Sequence, residues 1–172
     1  MNEVMQNIVT RRSVRKFTDQ HISAKELEQI VEAAVYAPSA MNRQSWHFTV
    51  IRSREKIQKL AAAIGGVLGN AAYNCYEPDT MILVAADRDN ANGQLDTGCA
   101  MENIFLAAHS LGIGSVWINQ ARGICDELAV RGVLEEYGVP DTHVVWGMAA
   151  LGYAAETPAD KPRSAGTVNY VE

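Results

Sequence analysis

A chain of 172 residues is enough for one domain with a buried core and short for two. With 48% hydrophobic residues, 20% charged and a net charge of −5, it is an ordinary globular composition that excludes a general polyanion binder. The cysteines Cys75, Cys99 and Cys125 are odd in number and far apart, without a CxxC pair or a histidine at ligand spacing, which excludes a disulfide framework and a zinc site.

Val4, Met5, Ile8 and Val9 recur at helical spacing, so an opening helix is expected to deliver Arg11 and Arg12 at its C-terminal end. Residues 1–10 lack the positive start and apolar stretch of a signal peptide, and no segment is apolar enough for long enough to span a bilayer. The cytoplasm is therefore the expected address. After Arg15 to Phe17, read as extended, Ser23 and Glu26 form a capping box with Ile22 and Leu27 as its staple. Leu27, Ile30, Val31 and Ala34 supply the buried stripe of that second helix, and Pro38 ends it. Trp46 to Ile51 alternates like a half-buried strand, and a helix from about Ser53 is expected to stop at Gly65-Gly66.

Met81 to Ala86 reads as a strand buried on both faces. The helix from about Leu95 to Leu111 is apolar or small on most sides and is expected to be central and buried. Ser115 to Ile118 is a short strand, Asp126 to Tyr137 a helix ended by Gly138 and Pro140, and Thr142 to Leu151 the last strand. From Glu156 the chain is too poor in apolar residues for a core and is expected to lie over a surface or a partner. The fold class is α+β: one domain over residues 1–172, with a central mixed, mainly antiparallel sheet flanked by helices. Two helices before any strand, and no GxGxxG after one, argue against a doubly wound dinucleotide fold.

Three groups of residues could carry chemistry. Arg11, Arg12, Ser13, Arg15 and Lys16 put four cations and a hydroxyl in six positions without a carboxylate, the donor set a phosphate monoester requires. The plainer reading of that run alone is a charged helix end. Pro38, Ser39, Asn42, Gln44 and Trp46 form a polar loop leading into an aromatic, for which an ordinary turn with a core tryptophan is the plainer reading. Lys161-Pro162-Arg163 holds two cations stiffly in the tail, able to fold back to the same anion or to stay solvated. His21, His47, His109 and His143 show no ligand spacing and read as surface or structural residues. The negative net charge, with no basic helix face and no interleaved aromatics, argues against a nucleic-acid module.

Taken in order, RRSVRKF, APSAMNRQSWHF, LDTGCAMENIFLAAHSLGIGSVWI, LGY and KPR resemble the nitroreductase family of FMN-dependent oxidoreductases over nearly the whole chain. The resemblance implies FMN as cofactor, NAD(P)H as electron donor and an intertwined homodimer with the flavin at the interface. It implies that Arg11, Arg12, Ser13, Lys161 and Arg163 hold the phosphate and that Arg15 stabilises the reduced ring. Pro38, Ser39, Asn42 and Gln44 would meet the flavin of the partner subunit, Asn74 rather than Asn70 its pyrimidine edge, and the backbone at Ile118, Asn119 and Gln120 its N5 side. The implied reaction passes electrons from NAD(P)H to a small oxidised acceptor in a ping-pong cycle, with the chemistry centred on the flavin and no metal. Ene reduction, dehalogenation or a non-catalytic flavin carrier or sensor are alternatives on the same scaffold. Ser45 stands where relatives often have proline, and the chain is short after its third helix, where relatives build part of the cover over the substrate.

Overall fold

A computed structural model of the protein describes residues 1–164 and 166–172. Five α-helices, α1 (Glu3–Thr10), α2 (Ala24–Val35), α3 (Arg54–Leu68), α4 (Gly93–Ser110) and α5 (Leu128–Glu136), surround four strands, β1 (Trp46–Ile51), β2 (Thr80–Asp87), β3 (Gly114–Ile118) and β4 (His143–Gly152). The strands lie in the order β1-β2-β4-β3, and every pair is antiparallel. The expected mixed character shrinks to one isolated parallel bridge, Ser13 to Ser115.

The central strand β2 is buried from Thr80 to Ala86 because both its faces are covered. Met81, Leu83 and Ala85 enter one core with Ile57, Leu60 and Ile64 of α3 and Val130 and Leu134 of α5. Ile82 and Val84 enter the other with Leu27 and Ile30 of α2 and Met101, Ile104 and Phe105 of α4. Period-two alternation on a strand with two apolar layers thus appears as a continuous apolar run.

Helix boundaries follow local chemistry. Both halves of the Ser23–Glu26 capping box form, with Ile22 and Leu27 buried beside it. Asp79 fastens this entry to the sheet: its Oδ2 accepts the N–H of Ile22 and the hydroxyl of Thr80, each at 3.0 Å, and its Oδ1 lies 2.6 Å from His21 Nδ1. One boundary differs from expectation, since α3 runs through Gly65-Gly66 to Leu68 and is ended by Gly69 at φ 66°. A glycine inside a helix weakens it by about 1 kcal/mol without terminating it. Gly65 is required for another reason: a Cβ there would stand 2.6 Å from the carbonyl oxygen of Asn70, which packs back on the helix. Helix α4 also differs, because one side of it is buried while Leu95 and Cys99 on the other are exposed.

The segment after α1 is riveted to the sheet. Val14 donates its N–H to the Ser115 carbonyl at 2.9 Å, Thr18 to that of Tyr153 at 2.8 Å, and Ala155 to that of Lys16 at 2.9 Å. Glycines make room for the rivets: a Cβ on Gly114 would lie 2.9–3.0 Å from Val14, and one on Gly152 would lie 2.8 Å from Phe17. Gly114→Ala should therefore cost about 1–3 kcal/mol through overpacking. Gly66→Ala, with nothing within 4 Å of its added Cβ, should gain about 0.5–1 kcal/mol from helix propensity. Chemical denaturation midpoints that move oppositely would bear this out; equal midpoints would refute the rivet.

Candidate functional site

Helix α1 ends at Arg11, and the extended segment that follows is met by the chain emerging from β4. Between them lies a cavity of about 360 Å³, walled on one side by Arg11, Arg12, Ser13 and Arg15 and on the other by the Glu156–Ala159 stretch, Lys161 and Arg163. The six residues come from two stretches of sequence about 150 positions apart and face one space. Their donors attract anions even within the chain. Arg12 pairs with Asp160, and the N–H of Arg15 donates to Glu156 Oε1 at 2.7 Å. The Arg12 contact pulls the Asp160 carboxyl below its usual range. On the far side, His109 is pulled down by desolvation and then by the positive field of Arg11 and Arg12.

The helix-end reading of the run holds in part. Arg12 Nη1 donates to the carbonyls of Val9 and Arg11 at 2.7 and 2.9 Å, as a cation at a helix C-terminus does. That bond also fixes the guanidinium at the cavity wall. Arg15 belongs to two spaces, because it also lines a cavity of about 430 Å³ with Asn74, Tyr76, Arg52 and Arg54. Its guanidinium lies 6.0 Å from the centroid of the Tyr76 ring. Asn74, and not Asn70, is the asparagine of that cavity. Asn74 Oδ1 and its carbonyl accept the N–H groups of Tyr76 and Glu77, each at 3.0 Å. Those bonds hold three successive residues, Cys75, Tyr76 and Glu77, at positive φ, a conformation costing roughly 1–2 kcal/mol per residue. Cys75 is buried there, and desolvation pushes its thiol up to about 11, leaving it neutral and unreactive.

The loop Pro38–Gln44 lines neither cavity. It too is strained, with Met41, Asn42 and Gln44 at φ 55°, 54° and 48°. Its shape is held by a buried carboxylate that sequence reasoning missed. Asp96, 5% exposed, accepts the N–H of Ala40 at 2.9 Å and faces Asn90, whose amide donates to Ser45 Oγ at 2.7 Å. Ser39 Oγ accepts the N–H of Gln44 at 3.1 Å, and Gln44 Nε2 donates to Asn42 at 2.7 Å. The one available signal was an aspartate in the first turn of an otherwise apolar helix. Ile118, Asn119 and Gln120 stand at the end of β3 opposite the basic run and line neither cavity. Among the described residues no group of three or more His, Cys, Asp or Glu could hold a metal ion.

Fold and site together define an α+β protein with a cationic cavity where its first helix meets its tail. The nitroreductase family model matches residues 8–73 and 68–153, and the chain belongs to that family. A protein of Archaeoglobus fulgidus with the provisional name NADH dehydrogenase/NAD(P)H nitroreductase is 39% identical over 89% of this chain and 86% of its own. An FMN reductase (NAD(P)H) of Bacillus subtilis is 30% identical over 95% of this chain and 70% of its own. The crystal structure of a nitroreductase with bound FMN from Bacteroides fragilis superposes with a TM-score of 0.97, at 38% identity, over all of both chains.

Replacing Asp96 with alanine leaves the Ala40 N–H without its acceptor and the Asn90 amide with Ser45 Oγ alone, a loss of about 1–3 kcal/mol. The variant should melt lower and be cut faster by protease within residues 39–45. A variant with the wild-type melt and cleavage pattern would show that Asp96 does not shape the loop.

Proposed function

We propose that the protein is an FMN-dependent oxidoreductase that passes electrons from NAD(P)H to a small oxidised acceptor, such as a nitroaromatic or a quinone, in a ping-pong cycle. The observation that carries this reading is the convergence of Arg11, Arg12, Ser13, Arg15, Lys161 and Arg163 on one cavity. A phosphate monoester brings nearly two negative charges and several acceptor oxygens, which guanidinium forks and a serine hydroxyl match. The pairing of Arg12 and Arg15 with the tail's own carboxylates supports the fit, since those contacts use the donors an anion requires.

Bound FMN would supply reversible two-electron chemistry at its ring. Arg15, standing between the two cavities, would stabilise the negative charge that accompanies reduction, and Asn74 would hold the ring edge from the second cavity. A polar loop and a strand end complete the expected site: Pro38, Ser39, Asn42 and Gln44 from the partner subunit of a homodimer, and the backbone at Ile118, Asn119 and Gln120.

The dimer is supported by a surface that one chain does not cover. Val4, Met5, Ile8 and Val9 on α1 and Leu95 on α4 are all exposed, and α1 buries no residue in its own chain. An amphipathic helix in this state needs a partner for its apolar face. The tail beyond Glu156, exposed at Val168, Tyr170 and Val171, would pack on that partner. No described helix is long and apolar enough to cross a membrane. Free cysteines and a nicotinamide donor suit the reducing cytoplasm.

The purified protein should be yellow, and NADH or NADPH should bleach it under anaerobic conditions. Arg15→Ala and Arg163→Ala should each weaken FMN binding about 10–100-fold, the loss of one or two charge-assisted hydrogen bonds. Two variants with full flavin content and full rate would overturn the assignment. In gel filtration the protein should run as a dimer that Ile8→Glu converts to monomer.

A further inference from the structure

Strand β3 carries one large side chain that the proposed reaction does not use. Val116 and Ile118 are buried toward α3 and α5, whereas Ser115 and Trp117 point to the opposite face, and Trp117 is 41% exposed. Its indole is held in place from two directions. Gly147 on the adjacent β4 lies beneath it, so closely that a Cβ there would stand 3.1 Å from Nε1, Cε2 and Cζ2. Phe105 of α4 packs beside it, ring centroids 5.9 Å apart and planes inclined by 52°. Phe105 is covered in turn by the guanidinium of Arg11, 5.9 Å from its centroid. The row Arg11, Phe105, Trp117 thus leads from the phosphate-type cavity along the sheet.

The register sets the spacing. The basic run is pinned to β3 by the Ser13–Ser115 bridge, and Trp117 is two residues further along the same strand face, about 6–7 Å away. A ligand with an anionic end in the basic cavity and a planar ring beyond it would meet a rigid aromatic surface next. Flat, fixed and partly exposed, such a surface suits a planar heterocycle better than a flexible aliphatic one. We propose that Trp117 is the stacking platform for the flavin ring, and that Gly147 sets its depth. This rests on the reading of the basic cavity as an FMN site.

The experiment titrates FMN into flavin-free protein while following tryptophan fluorescence and the visible flavin bands. Wild type should lose much of its emission on binding, and Trp117→Phe should lose most of that quenching although Trp46 and Trp146 remain. Trp117→Phe keeps an aromatic against Phe105 and guards against a variant that simply fails to fold. Trp117→Ala should weaken FMN binding about 10–100-fold, the usual scale of ring stacking on an aromatic side chain. Gly147→Ala, which lifts the indole without removing it, should shift the flavin absorption bands and the midpoint potential. Arg163→Ala separates the two ideas. If it loses FMN while the Trp117 variants keep wild-type affinity, quenching and spectrum, the platform is overturned and the cofactor reading stands. If wild type itself takes up no FMN, both fall. Conversion of the Trp117 variants to monomer with unchanged FMN affinity would also overturn the platform, making the residue part of an interface.

Discussion

The docking of residues 13–18 against the ends of β3 and β4 is the contact on which the site depends. Three backbone hydrogen bonds, at Val14, Thr18 and Ala155, join three parts of the chain that are remote in sequence. They bring a helix end, a strand edge and the emerging tail to one place. Without them Arg11–Arg15 and Lys161–Arg163 would be two solvated basic stretches on an acidic protein. The close approach is steric as well as polar, because Gly114 and Gly152 lie directly beneath Val14 and Phe17. The basic cavity is therefore built from tight backbone packing first and from charge second.

Features written locally were legible from the amino-acid order. The capping box needs only Ser23 and Glu26 three positions apart, and β1 needs only alternation, so both appear where periodicity puts them. The buried β2 announced itself as an apolar run. Features written by distant contacts were not. The end of α3 lies at Gly69, whose positive φ closes the helix, and Gly65-Gly66 four positions earlier mimics that signal inside it. Asp96 shapes a loop 56 positions upstream, and Glu156 and Asp160 reach partners more than 140 positions away. Resemblance to a known family supplied the order of the basic run, the polar loop and the tail; composition alone favoured a charged helix end.

Strain falls in two loops, one beside the second cavity and one that lines neither cavity. Among the described residues, the non-glycine positions at positive φ are Met41, Asn42 and Gln44 in one loop and Cys75, Tyr76 and Glu77 beside Asn74. Both sets are held by hydrogen bonds to Asn or Ser side chains and, in the first, by a buried carboxylate. Such conformations persist only where the surroundings over-determine them, and they concentrate where a backbone must present a particular surface. Here they flank the second cavity and form the polar loop, while the sheet between them is regular apart from a register shift at Val84/Ala85.

Helix α1 has a further consequence. Its eight residues are too few for a helix to be stable by itself, and none is buried within its own chain. Its ties to α4 are the Asn7 amide on the Leu106 carbonyl and the Thr10–His109 contact. The first arm of the basic cavity thus begins at an element that its own chain supports through few contacts. In a dimer of the proposed kind, dilution would loosen α1 and the cofactor site together, and cofactor would in turn favour assembly. Occupancy would then be a property of the amount of protein present, so that dilute samples shed their prosthetic group and concentrated ones retain it.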